Sequence, residues 1–153
     1  MKSYTFGLLQ TNAFKGLKGF TATLLKPEGI STYQWALIGI LYEEKGGLGT
    51  TQLARELSAS KPFITKAIKT LIETGWVEKS SRVETDMRQS RFVLTATARK
   101  KVPAIEAHLK SEMKKVLSGI SKIQLFAYVS VLKHLSKTLS DSIDDSAYEV
   151  KGK

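Results

Sequence analysis

The sequence predicts a mostly α-helical fold with a small β-hairpin wing, a winged helix-turn-helix flanked by N- and C-terminal dimerisation helices. Three observations predict it. The stretch from Gly49 to Thr95 reads as a short helix, a turn, a second helix and a basic hairpin, an order that suits a module placing one helix in a DNA groove beside a charged wing. Apolar residues recur at helical spacing on both sides of that stretch. The 153 residues carry a formal net charge of +10, from 24 Lys and Arg against 14 Asp and Glu, which points to a polyanionic partner.

The elements follow in order. From Tyr4 to Leu25 the apolar positions Phe6, Leu9, Ala13, Phe14, Leu17, Phe20 and Leu24 form a stripe. Gly7, Gly16 and Gly19 interrupt it, each costing about 1 kcal/mol against alanine, so this helix needs a packing partner. Pro27 and Gly29 end it. Ser31 or Thr32 caps the next helix, whose face is Trp35, Leu37, Ile38, Leu41 and Tyr42 and which stops at Lys45-Gly46-Gly47. Thr50 or Thr51 is expected to cap a short helix with Leu53, Ala54 and Leu57, and a turn follows around Ser58 and Ser60. Ser60 caps the helix from Lys61 to about Thr74, with Pro62 in the first turn, where a missing N–H costs little.

In that second helix Ile64, Ala67, Ile68 and Leu71 share one face, while Lys61, Thr65, Lys66 and Lys69 lie on or near the other. After Gly75, alternation from Val77 to Val83 reads as a strand, Arg91 to Thr95 as its return, and Glu84 to Ser90 as a charged tip. A long helix is expected from about Ala96 to Leu117, kinked or restarted at Pro103. A last helix spans about Lys122 to Leu139, with a stripe of Leu125, Phe126, Val129, Leu132, Leu135 and Leu139. The organisation is one domain over residues 1–140, with a DNA-binding core of about 32–95, dimerisation helices of about 4–25 and 96–139, and a flexible acidic tail over 141–153.

The charge placement decides between a DNA surface and a merely solvated lysine face. From Thr51 to Lys100 there are ten basic and five acidic residues. Lys61, Lys66 and Lys69 lie off the apolar face, where they reach phosphates, while Thr65 approaches base edges. Arg82, Arg88 and Arg91 bracket the hairpin tip, and arginine there can enter a narrow minor groove. Asp86 would repel phosphate and is best read as an orienting partner of Arg88.

Enzyme chemistry finds no support. There is no cysteine, which removes disulfides, thiolate metal sites and thiol redox sensing. His108 and His134 stand far apart in helical patterns, Ser58 and Ser60 have no neighbouring histidine, and Gly46-Gly47-Leu48-Gly49 lacks the Lys-Ser/Thr of a phosphate loop and reads as a turn. No metal or cofactor is expected. Neither a signal peptide nor a membrane span is expected, so a cytoplasmic protein is the economical reading. The alternative function is a non-enzymatic helical scaffold without specific DNA binding.

The chain resembles the MarR family of bacterial winged-helix transcription regulators. The resemblance runs through TTQLAREL from Thr50 to Leu57, SKPFITKAIKTLIETGWVEK from Ser60 to Lys79, the Asp86-Met87-Arg88 triplet and the Leu94-Thr95 pair. It implies an obligate dimer joined by the N-terminal and last two helices, with a pseudo-palindromic operator. It implies DNA contacts at Ser60, Lys61, Pro62, Thr65 and Lys66 in the recognition helix and at Arg88 in the wing, and a repressor released by a small aromatic or phenolic ligand. Phe14, Phe20, Trp35 and Tyr42 are the candidate lining of that effector cleft; the alternative reading makes them core aromatics. Three positions depart from the family pattern: Gln52 in place of glutamate, Ala98 in place of glycine, and Met87 in place of proline between Asp86 and Arg88.

Overall fold

The computed structural model describes residues 2–80 and 90–142. Among these residues six α-helices and three short strands follow in the order α1 (Ser3–Leu25), α2 (Thr32–Glu43), β1 (Leu48–Gly49), α3 (Thr50–Glu56), α4 (Lys61–Glu73), β2 (Val77–Lys79), β3 (Arg91–Leu94), α5 (Ala96–Val116) and α6 (Lys122–Ser142). The chain divides into two compact units, residues 1–111 and 112–153.

The first unit holds the winged helix-turn-helix. Helix α1 ends in a 3-10 turn, Lys26–Glu28, closed by Gly29 at φ +67°. Ser31 caps α2: its hydroxyl accepts from the Gln34 amide, and Gln34 Oε1 accepts from the Ser31 amide at 2.8 Å. This reciprocal pair satisfies two orphan donors of the first turn. Helix α3 begins differently from expectation. Gly49, not Thr50 or Thr51, is its cap residue, and Gln52 Oε1 accepts from the Gly49 amide at 3.1 Å. A glycine has no side chain to cap with, so the glutamine reaches back instead.

The core is built from Leu25, Leu37, Ile38, Leu41, Leu53, Ile64, Ile68, Leu71, Trp76, Val77, Phe92, Leu94, Ala98 and Val102, all buried, with further residues packed around them. Each helix from α2 to α5 gives it one face. Full burial of a leucine or isoleucine side chain contributes about 1.5–3 kcal/mol, so the apolar face of α4 alone is a main support of the module.

Strand β3 is the centre of a three-stranded antiparallel sheet, order β1-β3-β2. Leu48 pairs with Phe92 and Gly49 with Arg91; on the other side Val77, Glu78 and Lys79 pair with Leu94, Val93 and Phe92. The segment read as a plain turn from Gly46 to Gly49 therefore ends in a strand, because β3 offers a free edge to it. Thr95 then starts α5: its Oγ1 accepts from the Ala98 amide at 3.1 Å and donates to the Gly75 carbonyl at 2.8 Å. One side chain thus caps α5 and ties it to the end of α4.

Helix α5 is continuous through Pro103, so of the expected kink or restart the restart does not occur. In the second unit α6 runs to Ser142, beyond the expected end at Leu139. Ser121 and Gln124 cap it reciprocally, as Ser31 and Gln34 cap α2. Among the described residues no helix is long and apolar enough to cross a membrane.

Candidate nucleic-acid interface

The candidate surface is organised by α4. Ser60 sits in extended backbone at φ −71°, ψ 145° and its hydroxyl accepts from the Phe63 amide at 3.4 Å. Pro62 falls in the first turn, where no intrahelical donor is lost. Ile64, Ile68 and Leu71 are buried, and this fixes the helix's rotation. That rotation leaves Ser60, Lys61, Pro62, Thr65, Lys66 and Lys69 exposed together. The structure therefore brings the predicted helix positions onto one solvent-facing surface.

Two of these side chains carry internal commitments that the sequence did not reveal. Thr65 Oγ1 donates to the Lys61 carbonyl at 2.9 Å, so its hydroxyl proton is held within the helix while its oxygen and methyl face out. Lys69 Nζ lies 3.9 Å from Glu73 Oε1, one turn later. Both partners are well exposed, and such a pair is worth little to stability, but it offsets part of the cationic field at that spot.

Arg91 is partly buried on β3, and its guanidinium donates to the Gly47 carbonyl at 3.4 Å. It braces the strand pair β1–β3 as well as adding charge at the base of the wing. The positions Arg82, Asp86 and Arg88, with Met87, lie outside the described residues.

Two features of the surface have no forerunner in the sequence reading. Arg99 donates to the Tyr42 carbonyl at 2.9 Å and the Leu41 carbonyl at 3.2 Å, and its guanidinium lies 5.3 Å from the Tyr42 ring centre. It thereby caps the C-terminus of α2 with a positive charge, where the helix dipole favours one. An arginine early in α5 was the available signal. Tyr33 meets Phe63 edge-on, with centroids 4.6 Å apart and planes at 82°. Desolvation pushes the Tyr33 phenol above its usual value of 10.0, so at neutral pH it is the protonated donor facing the Leu57 carbonyl at 3.4 Å.

The four aromatic positions assigned to an effector cleft separate. Trp35 and Tyr42 line a cleft of about 610 Å³ between α2 and α5, together with Gly39, Glu43, Val102 and Glu106. Phe14 and Phe20 are not part of this lining. Phe14 is 61% exposed on α1, and Phe20 is half-buried on the same helix. Phe14 and Phe20 share a stripe on α1, and that helix contributes no side chain to the lining of this cleft.

A capped helix-turn-helix whose second helix presents cations, backed by a three-stranded antiparallel sheet, defines a winged helix-turn-helix module. Residues 30–89 match the model of the MarR family. An uncharacterised HTH-type transcriptional regulator, YwoH of Bacillus subtilis (strain 168), is 32% identical over 85 residues, covering 56% of this chain and 60% of that protein. The match thus spans less than two thirds of this curated relative. A MarR transcriptional regulator from Methanosarcina mazei Go1 superposes with a TM-score of 0.78 at 22% identity, over 92% of this chain and all of that one. MepR of Staphylococcus aureus, solved as a DNA complex, gives 0.70 at 18% identity over 91% of this chain and 96% of its own. Through its winged segment the chain is similar to the MarR family, and its fold is that of the solved MarR-type structures.

Proposed function

We propose that the protein is a cytoplasmic, non-enzymatic transcription regulator that binds double-stranded DNA. It acts as a homodimer on a pseudo-palindromic operator, and as a repressor. The observation that carries this reading is the outward surface of α4. A helix locked in rotation by Ile64, Ile68 and Leu71 exposes Lys61, Lys66 and Lys69 around Thr65. Phosphate contacts from such lysines position the helix, and its first turn reaches the bases. That MepR has been solved with DNA supports the same docking.

Homodimer formation is supported by exposed apolar side chains outside the core. Helix α1 exposes Tyr4, Phe6, Leu8, Leu9, Phe14 and Leu17, and α6 separately exposes Ile123, Phe126, Tyr128 and Val131. Neither face is covered by the described residues of its own unit, and a symmetric second copy would bury both. Ligand release belongs to the cleft beside Trp35 and Tyr42. Its charged lining is Glu43, Glu106 and Lys110, and Lys110 pairs with Glu106 at 3.3 Å. An aromatic ligand without negative charge fits this lining better than a phenolic acid.

In vitro selection from a random duplex library, followed by footprinting and titration over a salt series, tests the reading. The expected result is an inverted repeat with half-sites about one helical turn apart, with affinity falling as salt rises. Retention that is insensitive to salt, or preference for single-stranded RNA, would refute it.

A further inference from the structure

We propose that Phe63 is a specificity-determining residue that packs its ring against the C5-methyl of a thymine in the major groove. The inference rests on the DNA-binding reading above. Phe63 is the third residue of α4 and stands between Lys61 and Lys66 on the chain. Phe63 is 48% exposed, while its neighbour Ile64 is fully buried. The part of this apolar group that stays in water on a cationic helix gains nothing for the isolated fold. At the N-terminal end of a recognition helix, however, it stands where side chains meet base edges.

The ring is also held in place. Tyr33 of α2 meets it edge-on at 4.6 Å, and the Tyr33 hydroxyl faces the Leu57 carbonyl at 3.4 Å. The Phe63 amide is itself engaged by the Ser60 cap. Ring and backbone are therefore both fixed before DNA arrives, which reduces the ordering cost of binding. A phenyl group cannot hydrogen-bond to a base edge. What it distinguishes in the major groove is a methyl group, and among the four bases only thymine carries one.

The test uses the full chain and the duplex recovered by selection. Each thymine is replaced in turn by deoxyuridine, which removes the methyl and leaves pairing intact. At one position per half-site the replacement is expected to weaken the parent about fourfold, the factor for burial of a single methyl. The same replacement should leave Phe63→Ala unaffected. Phe63→Gln, which keeps bulk against Tyr33 but offers an amide suited to adenine, is the second variant and should lose the thymine preference on reselection. A residue that only props α4 would weaken methylated and unmethylated duplexes alike. If no replacement affects the parent, or if the variants keep the parent's uridine penalty, the inference fails while DNA binding stands. If selection recovers no duplex at all, both readings fall together.

Discussion

Replacing Gly47 with alanine should open the edge of the sheet that carries the wing. Gly47 has φ +76°, and a Cβ built there would lie 2.7 Å from the Phe92 carbonyl oxygen and 2.7 Å from Val93 Cγ1. The Val93 methyl can turn away, but the Phe92 oxygen is backbone of the central strand and cannot move without disturbing the Leu48–Phe92 pairing. Two other glycines separate the contributions. Gly29 shares the left-handed backbone, at φ +67°, but has open space around its Cβ position. Gly46 has open space and no positive φ. The left-handed conformation costs a residue with a side chain about 1–2 kcal/mol. Overpacking adds about 1–3 kcal/mol. Gly47→Ala should therefore lose about 2–5 kcal/mol, Gly29→Ala about 1–2 kcal/mol, and Gly46→Ala should gain up to about 1 kcal/mol through a less disordered unfolded chain. Urea unfolding at one fixed protein concentration, followed by fluorescence of the buried Trp76, measures all three. With a slope of about 1–3 kcal/mol per molar urea, the Gly47→Ala midpoint should fall by about 1 M or more. A Gly47→Ala midpoint no lower than that of Gly29→Ala would refute the steric argument and the close fit of β1 on β3.

Lys66→Ala should weaken specific and random duplex alike and reduce the salt slope by about 1 in titrations over a salt series; an unchanged slope would remove Lys66 from the phosphate contacts. Glu73→Gln frees Lys69 from its neighbour at 3.9 Å and should tighten binding modestly at low salt, an effect that fades as salt is raised. Arg99→Met keeps the aliphatic stem but removes the donors to the Leu41 and Tyr42 carbonyls, and should cost about 1.5–3 kcal/mol in urea unfolding. A loss below about 0.5 kcal/mol would mean that water replaces the guanidinium at the end of α2. Joint replacement of Ile123 and Phe126, which are 82% and 76% exposed, by glutamate should convert a dimer to a monomer in sedimentation equilibrium. A double variant that sediments as the parent does would take α6 out of the interface.

The helices were legible because each has its own periodicity and its own cap signals; Ser31, Ser60 and Pro62 mark their starts without help from the rest of the chain. What escaped is what only contact creates. Strand β1 is Leu48–Gly49, too short for any alternation, and exists because β3 lies alongside it. Gly49 caps α3 through the side chain of Gln52, so an apparent departure from the family pattern keeps an N-terminal acceptor in place. Thr95 looked like a strand end and proves to be the joint between α4 and α5. At the candidate site, burial of Ile64, Ile68 and Leu71 made the exposed face of α4 readable from periodicity. The commitments of Thr65 to Lys61 and Arg91 to Gly47 depend on side-chain direction, and the absence of Phe14 from the cleft lining depends on how the helices are arranged. None of these follows from spacing along the chain.

The placement of β1 and β2 on opposite edges of β3 has a mechanical consequence. The helix-turn-helix leaves one edge strand at Gly49 and returns to the other at Val77, with β3 between them. Its two ends are clamped to a common plate. Helix α4 cannot roll about its own axis unless a strand peels away, so it presents the same face to solvent in every state the intact module can adopt. Helix α5 leaves the same plate directly at Thr95 and forms one wall of the Trp35–Tyr42 cleft, so the cleft is built on the clamp that fixes α4.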